Sequence, residues 1–403
     1  MKQIARKYVE FVRQPDVARL LFIALLTRMP IGMVGFSMLM YLRESLGNFA
    51  LAGSVVGMNL IALAAAAPVQ GRLIDRFGPR RPLLVTGTVQ PLALVGVLVS
   101  ASSGAGYWTV AFFAALAGMF ASPITTLTRT MWRHRFERED DRRTAFALDA
   151  IAIEVNFTLG PTIIAALLAW VNARTAFAVA IAVVLACVVI YMGSGVLALY
   201  RKTEAGERHL LGPLTEPRLW LVFVVTAGLA VCFGLLEVGY PAYATFMLAP
   251  ALGGLLLAVN SVGSVIGGAI YGGMHFRMPV ERQLACTMGL MAIPLCVHAL
   301  VQTPTVFTVT ALVAGGLIAP SIAAQSVLVS RFAPSKYATE AFTWSSTFIV
   351  SGIGAGMALG GAMVETVGLR PTFAAGAAIM ATMAVFALLT LSPRAAREAR
   401  AND

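Results

Sequence analysis

Long apolar runs alternate along this chain with short charged segments. The runs fall at about 18–42, 49–71, 82–102, 106–130, 143–170, 174–199, 218–246, 250–273, 281–302, 304–331, 337–364 and 371–392. A helix that crosses a bilayer needs about 20 consecutive apolar residues, and each run has that length. Membrane-spanning strands would instead be about ten residues long, with alternating character. The pattern therefore predicts an all-α membrane protein with twelve transmembrane helices.

The longest internal polar segment, residues 200–217, follows the sixth run. It divides the chain into an N-terminal six-helix bundle (1–199), a linker (200–217), a C-terminal six-helix bundle (218–392) and a tail (393–403). A shift of 196 residues superposes landmarks of the two halves. Gly71 meets Gly267, Ala145-Phe146 meets Ala341-Phe342, Gly160 meets Gly356 and Arg174 meets Arg370. An even number of spans per half predicts parallel, pseudo-symmetric repeats about an axis along the membrane normal.

Composition agrees with this picture. The chain has 403 residues, 58% of them hydrophobic and 12% charged, whereas soluble domains are near one quarter charged. The net charge of +11 at first suggests nucleic acid, but its distribution argues against that. With twelve spans, all Lys and Arg residues fall on one side except Arg28, Arg43, Arg174 and Arg370. That bias is the positive-inside rule and predicts both termini in the cytoplasm. Residues 1–17 read as a basic amphipathic surface helix, without the pattern of a cleavable signal. Cys187, Cys232, Cys286 and Cys296 fall within spans and read as small apolar residues.

The turn after the second span, Gly71 to Arg81, carries four arginines and one aspartate. It resembles the signature of the major facilitator superfamily, G-x-L-x-D-r-x-G-r-[KR]-[KR], at Gly71, Leu73, Asp75, Arg76, Gly78, Arg80 and Arg81. With twelve spans in two halves, the resemblance covers the whole chain and implies the major facilitator fold. The phrases Arg28–Met33 and Thr339–Trp344 further resemble bacterial permeases of the sugar-efflux and drug-efflux kind. The resemblance implies that Asp75 pairs across the halves near the eleventh span and latches the outward-facing state. It also implies that the first, fourth, seventh and tenth spans line a central cavity, with the fifth close beside the first. In the second half Tyr271 stands where the shift places the aspartate, and Arg277 remains of the arginine cluster. A latch there is expected to be weaker or absent.

A charge at the bilayer centre costs at least ~2.5–3.5 kcal/mol on insertion scales, so ionisable residues inside spans mark function. They are Arg28, Asp149, Glu154 and Glu237. Arg28 is expected to pair with Glu154. Asp149 is expected to neutralise Arg129 or Arg133, and Glu237 to be free to take up a proton. Two departures weaken a direct antiporter assignment. The fourth-span R-x-x-x-G of drug/proton antiporters appears here as Ala114–Gly118, without the arginine. Their fifth-span G-x-x-x-G-P-x-x-G-G survives as Gly160-Pro161, with Asn156 at the first glycine.

Polar and aromatic residues at membrane depth give a candidate substrate surface: Asn59, Tyr240, Tyr243, Asn260, Gln325 and Trp344. The same residue types also serve as glue between helices. Pro30, Pro161, Pro241 and Pro320 are expected to kink their helices. Met29, Met33 and the stretch Met274–Met278 raise copper(I) binding, a minor alternative because methionine is common packing in lipid-facing chains. No Walker sequence, paired-cysteine site or nucleophile elbow supports an enzyme, and no cofactor is expected. The expected protein is a monomeric multi-pass carrier of the bacterial inner membrane, working on a small organic molecule by alternating access. Proton-coupled efflux is the leading reading. Uptake or facilitated diffusion of a sugar or small metabolite is the alternative, and lipid flipping or a non-transporting sensor are lesser ones.

Overall fold

A computed structural model describes residues 13–136, 139–199, 212–273, 277–301, 303–334 and 338–391. Most of the expected surface helix at 1–17, most of the linker and the tail lie outside these residues, as do Met274 and His275.

All regular structure among the described residues is helical. The N-terminal segment holds α1 (Pro15–Thr27), α2 (Pro30–Leu46), α3 (Phe49–Phe77), α4 (Arg80–Ser102), α5 (Tyr107–Met119), α6 (Ile124–Arg135), α7 (Glu139–Trp170) and α8 (Ala173–Gly193). The C-terminal segment holds α9 (Pro217–Phe246), α10 (Ala251–Gly273), α11 (Val280–Leu300), α12 (Pro304–Gly316), α13 (Ile318–Phe332), α14 (Ala338–Thr366) and α15 (Leu369–Thr390). Among the described residues ten helical stretches are long and apolar enough to cross a membrane. Two of them, Asp16–Leu46 and Pro304–Phe332, each join two of these helices across a break. The fourth and fifth runs contribute the shorter apolar helices Tyr107–Met119 and Val155–Trp170. The fourth falls short because the chain leaves the helix over Phe120–Pro123. The fifth run lies within the long continuous helix α7.

Helix ends follow local chemistry. Asn48 begins α3 by accepting the amide of Leu51 at 2.8 Å, and Asn172 begins α8 by accepting that of Thr175 at 2.8 Å. Both are side-chain caps of otherwise orphaned amides. Gly78 ends α3: its φ of 75° is available to glycine at little cost, and its amide returns to Ile74 O at 2.8 Å.

In lipid no hydrophobic force drives helices together, so small residues and polar bonds set their spacing. One device appears in both segments. Asn59 on α3 donates from Nδ2 to Ala114 O on α5 at 2.7 Å, and Asn260 on α10 donates to Ala311 O on α12 at 3.1 Å. Four residues after each acceptor stands a glycine pressed on the asparagine backbone. A Cβ on Gly118 would lie 1.9 Å from Asn59 O, and one on Gly315 would lie 1.9 Å from Asn260 O. By this register Gly71 corresponds to Gly272, Arg76 to Arg277 and Arg81 to Arg282. The uniform shift to Gly267 and Tyr271 is displaced, because the connections between these helices differ in length. Gly267 is itself a packing residue, whose Cβ would lie 1.7 Å from Gly316 O.

The segments meet along α3 with α14 and α7 with α10. The buried side chains form two clusters. The larger spans both segments. The smaller gathers Leu20, Ile74, Leu127, Met131, Ala145 and Tyr191 within the N-terminal segment, near the Gly78 end of the bundle.

Candidate functional site

The break in the first span sets up the buried charge. Pro30 has no amide hydrogen, so it cannot donate back to Leu26 O. The helix stops at Thr27, Arg28 turns at φ −101° and ψ 0°, and α2 restarts at Pro30. The carbonyls released there find side-chain donors: Asn156 Nδ2 reaches Leu25 O at 3.1 Å, and Cys187 Sγ reaches Leu26 O at 3.3 Å. Asn156, which departs from the antiporter pattern, is thus the residue that satisfies the broken turn. Close contact is possible because Gly32 and Gly160 face each other. A Cβ on Gly160 would lie 2.7 Å from Gly32 Cα.

Arg28 lies at this break. Its Nη1 donates to Asp149 Oδ1 on α7 at 2.7 Å, with side-chain exposures of 0% and 1%. Its Nη2 approaches Thr125 O, in the first turn of α6, at 3.4 Å. Below it, Thr128 Oγ1 and the Tyr191 hydroxyl lie 3.4 Å apart, and Tyr191 also reaches Met131 Sδ at 3.7 Å. The breaks of the first and fourth spans therefore both lie close to one buried ion pair. Sequence reasoning paired Arg28 with Glu154 and gave Asp149 to Arg129 or Arg133; the structure seats Asp149 on Arg28. Asp149 lies about one and a half helical turns before Glu154, which brings it level with the break. The side chains of Glu154, Arg129 and Arg133 lie outside the described residues. Thr125, Thr128, Tyr191 and Cys187 were not anticipated, and the proline after Arg28 was the sequence signal for the last of these.

Glu237 lies in α9, half-buried, and makes no hydrogen bond or ion pair among the described residues. One turn on, Tyr240 is buried with its hydroxyl 3.4 Å from Asn260 Nδ2. Tyr243 is buried and stacked on Phe307, ring centroids 3.8 Å apart. His298 completes this aromatic wall, its Nε2 3.2 Å from Phe307 O. Gln325 is buried and donates to Ser345 Oγ at 2.8 Å. Trp344 is half-buried, 6.3 Å from Phe348 between ring centroids. The structure thus gathers Glu237, Tyr240, Tyr243 and Asn260 around α9, and places Gln325 and Trp344 on α13 and α14. Asn59 and Asn260 both spend their amides on the helix clasps.

In the signature turn, Arg76, Arg80 and Arg81 are exposed, with the Arg76 guanidinium 5.2 Å above the Phe77 ring. Asp75 lies in the last turn of α3, with its side chain outside the described residues. A Cβ on Gly71 would meet nothing within 4 Å, so close packing does not require glycine there. Among the described residues no group of three His, Cys, Asp or Glu gathers as a metal site. A pocket of about 400 Å³ at the Phe49 end is lined by Phe246, Val367, Leu369, Arg370 and Pro371, and by none of the candidate residues.

Comparison with known proteins bears on this arrangement. The family model of the Major Facilitator Superfamily matches residues 20–247 and again residues 222–403. The chain is 22% identical, over 345 residues, to the multidrug resistance protein MdtG of Yersinia enterocolitica, covering 83% of this chain and 81% of that one. Its fold resembles the crystal structure of the nucleoside transporter NupG, with TM-score 0.75 and 13% identity, covering 94% of this chain and all of that one. It also resembles a bacterial homologue of the iron transporter ferroportin in an inward-facing state, with TM-score 0.70 and 15% identity, covering 92% and 98%. Matched in both of its segments, this all-helical, multi-pass chain belongs to the Major Facilitator Superfamily and is a membrane transporter rather than an enzyme.

Proposed function

We propose that this transporter exports a small organic molecule in exchange for protons, by alternating access of two six-span halves. The recurrence of the Asn59–Gly118 clasp as Asn260–Gly315 supports two equivalent halves. The broken helices α5–α6 and the long α7 supply the fourth and fifth spans of the first half. The bias of Lys and Arg supports the Gly78 end, and both termini, as cytoplasmic in a bacterial inner membrane. Likeness to a multidrug resistance protein supports export.

The observation that carries proton coupling is Glu237. A carboxylate inside a membrane-length helix, half-buried and without a partner among the described residues, marks a functional position rather than a packing one. Arg28, by contrast, has its counter-charge in Asp149. Proton release from Glu237 toward the cytoplasm and its reloading from the other side would drive the exchange. Asp75 with Arg76, Arg80 and Arg81 acts as the cytoplasmic latch of the outward-facing state.

The test uses proteoliposomes loaded with a lipophilic dye cation. Glu237→Gln is expected to abolish uphill transport driven by a pH gradient while sparing downhill exchange. Undiminished gradient-driven transport in that variant would remove Glu237 from coupling. A second reading, uptake of a nucleoside or similar metabolite, is favoured by the fold likeness to a nucleoside transporter, and radiolabelled nucleoside uptake distinguishes it.

A further inference from the structure

The seam between α3 and α14 is built mostly from backbone and small residues. A Cβ on Gly53 would lie 2.5 Å from Met357 O, one on Gly57 2.4 Å from Gly354 O, and one on Gly361 2.2 Å from Phe49 O. Such a seam fits closely, but dispersion is individually weak and non-directional. At its outer rim stands a different contact. The amide of Phe49, the first residue of α3, donates to Glu365 Oε1 at 2.6 Å, between residues 316 positions apart in the chain.

Phe49 N–H is an orphaned amide at a helix start, where the backbone dipole presents partial positive charge. Asn48 already serves Leu51, so Glu365 is a second, non-local acceptor supplied by the other segment. The Arg43 guanidinium, 5.6 Å above the Phe49 ring, adds positive charge to the same corner. An inter-segment bond on the α7–α10 seam, Ser261 Oγ to Phe157 O at 3.3 Å, is neutral and longer. The Phe49 end is therefore closed by a fitted seam with a charged contact at its edge.

We propose that Glu365 is the gate residue of the Phe49 end: its carboxylate holds the two segments together there and must leave the start of α3 before that end opens. It acts at the end opposite the Gly78 turn and stabilises the opposite conformation. The inference rests on alternating access, and is independent of cargo and of protons.

The test measures spin-label distances between Ser103→Cys and Thr303→Cys, in the full chain with its native cysteines replaced by alanine, in lipid nanodiscs without substrate. Two distance populations are expected. Glu365→Ala is expected to raise the long-to-short ratio about tenfold, Glu365→Gln about threefold because an amide oxygen still accepts, and Glu365→Asp less than either. Asp75→Asn is expected to lower the ratio. Two populations whose ratio ignores Glu365→Ala and Glu365→Gln would overturn the gate. A single distance in every variant, including Asp75→Asn, would overturn alternating access itself. That the Glu365 variants stay folded is checked by their elution as monomers, and the Glu365→Asp rescue excludes a general loss of structure.

Discussion

At the scale of single residues, the buried pair Arg28–Asp149 is the clearest chemical feature of the N-terminal segment. Two charges removed from solvent are costly, and their attraction offsets that cost when both are present. Arg28→Met alone leaves Asp149 without its 2.7 Å partner, so it is expected to reduce stability by about 3–5 kcal/mol. Arg28→Met with Asp149→Leu is expected to recover most of the loss. Chemical unfolding in detergent measures both; equal losses in the single and double variants would show that the pair contributes little. The sequence showed that Arg28 needed a counter-charge, because the bilayer core supplies none. It did not show that Asp149 lies 2.7 Å from Arg28, because that depends on the height at which α7 crosses the Pro30 break. Glu365 was not legible at all, since an acidic residue at a span end reads as an ordinary interfacial charge.

At the scale of helices, glycine positions divide into those that set a crossing and those that do not. Gly118→Ala and Gly315→Ala would each put a methyl 1.9 Å from a backbone carbonyl. Each is expected to reduce stability by about 1–3 kcal/mol or to separate the helices. Gly71→Ala meets nothing within 4 Å and is expected to be neutral, or stabilising by about 0.5–1 kcal/mol, from helix propensity alone. Thermal unfolding of the three variants tests this ordering. Helix existence was readable from apolar run length: α3 begins at Phe49 and α4 ends at Ser102, where the charge pattern placed them. The interruptions in the first, fourth and tenth spans were less readable. Pro30 and Pro123 mark the first two, but α12 and α13 separate at Leu317, with Pro320 already inside the second helix. Asn59 and Asn260 offered amides to any reading, and their use as clasps appeared once α5 and α12 were seen against them.

At the scale of the whole molecule, cargo is the open variable, and binding is linked to stability by mass action. A panel of drugs, sugars, nucleosides, amino acids and copper(I) on purified protein is expected to raise the melting temperature for lipophilic organic molecules and not for copper. A shift with copper alone would overturn organic-molecule export. The amino-acid sequence by itself determined the class of molecule. Run length and hydropathy leave lipid as the solvent, and the Gly71–Arg81 turn marks the family. These are local quantities, fixed by which residues adjoin along the chain. The tertiary structure decided the pairings: Asp149 on Arg28, the asparagine clasps, and Glu365 on the start of α3 across 316 residues. Those depend on where helices cross, and crossing points are set by backbone approach at small residues, which a one-dimensional pattern does not specify.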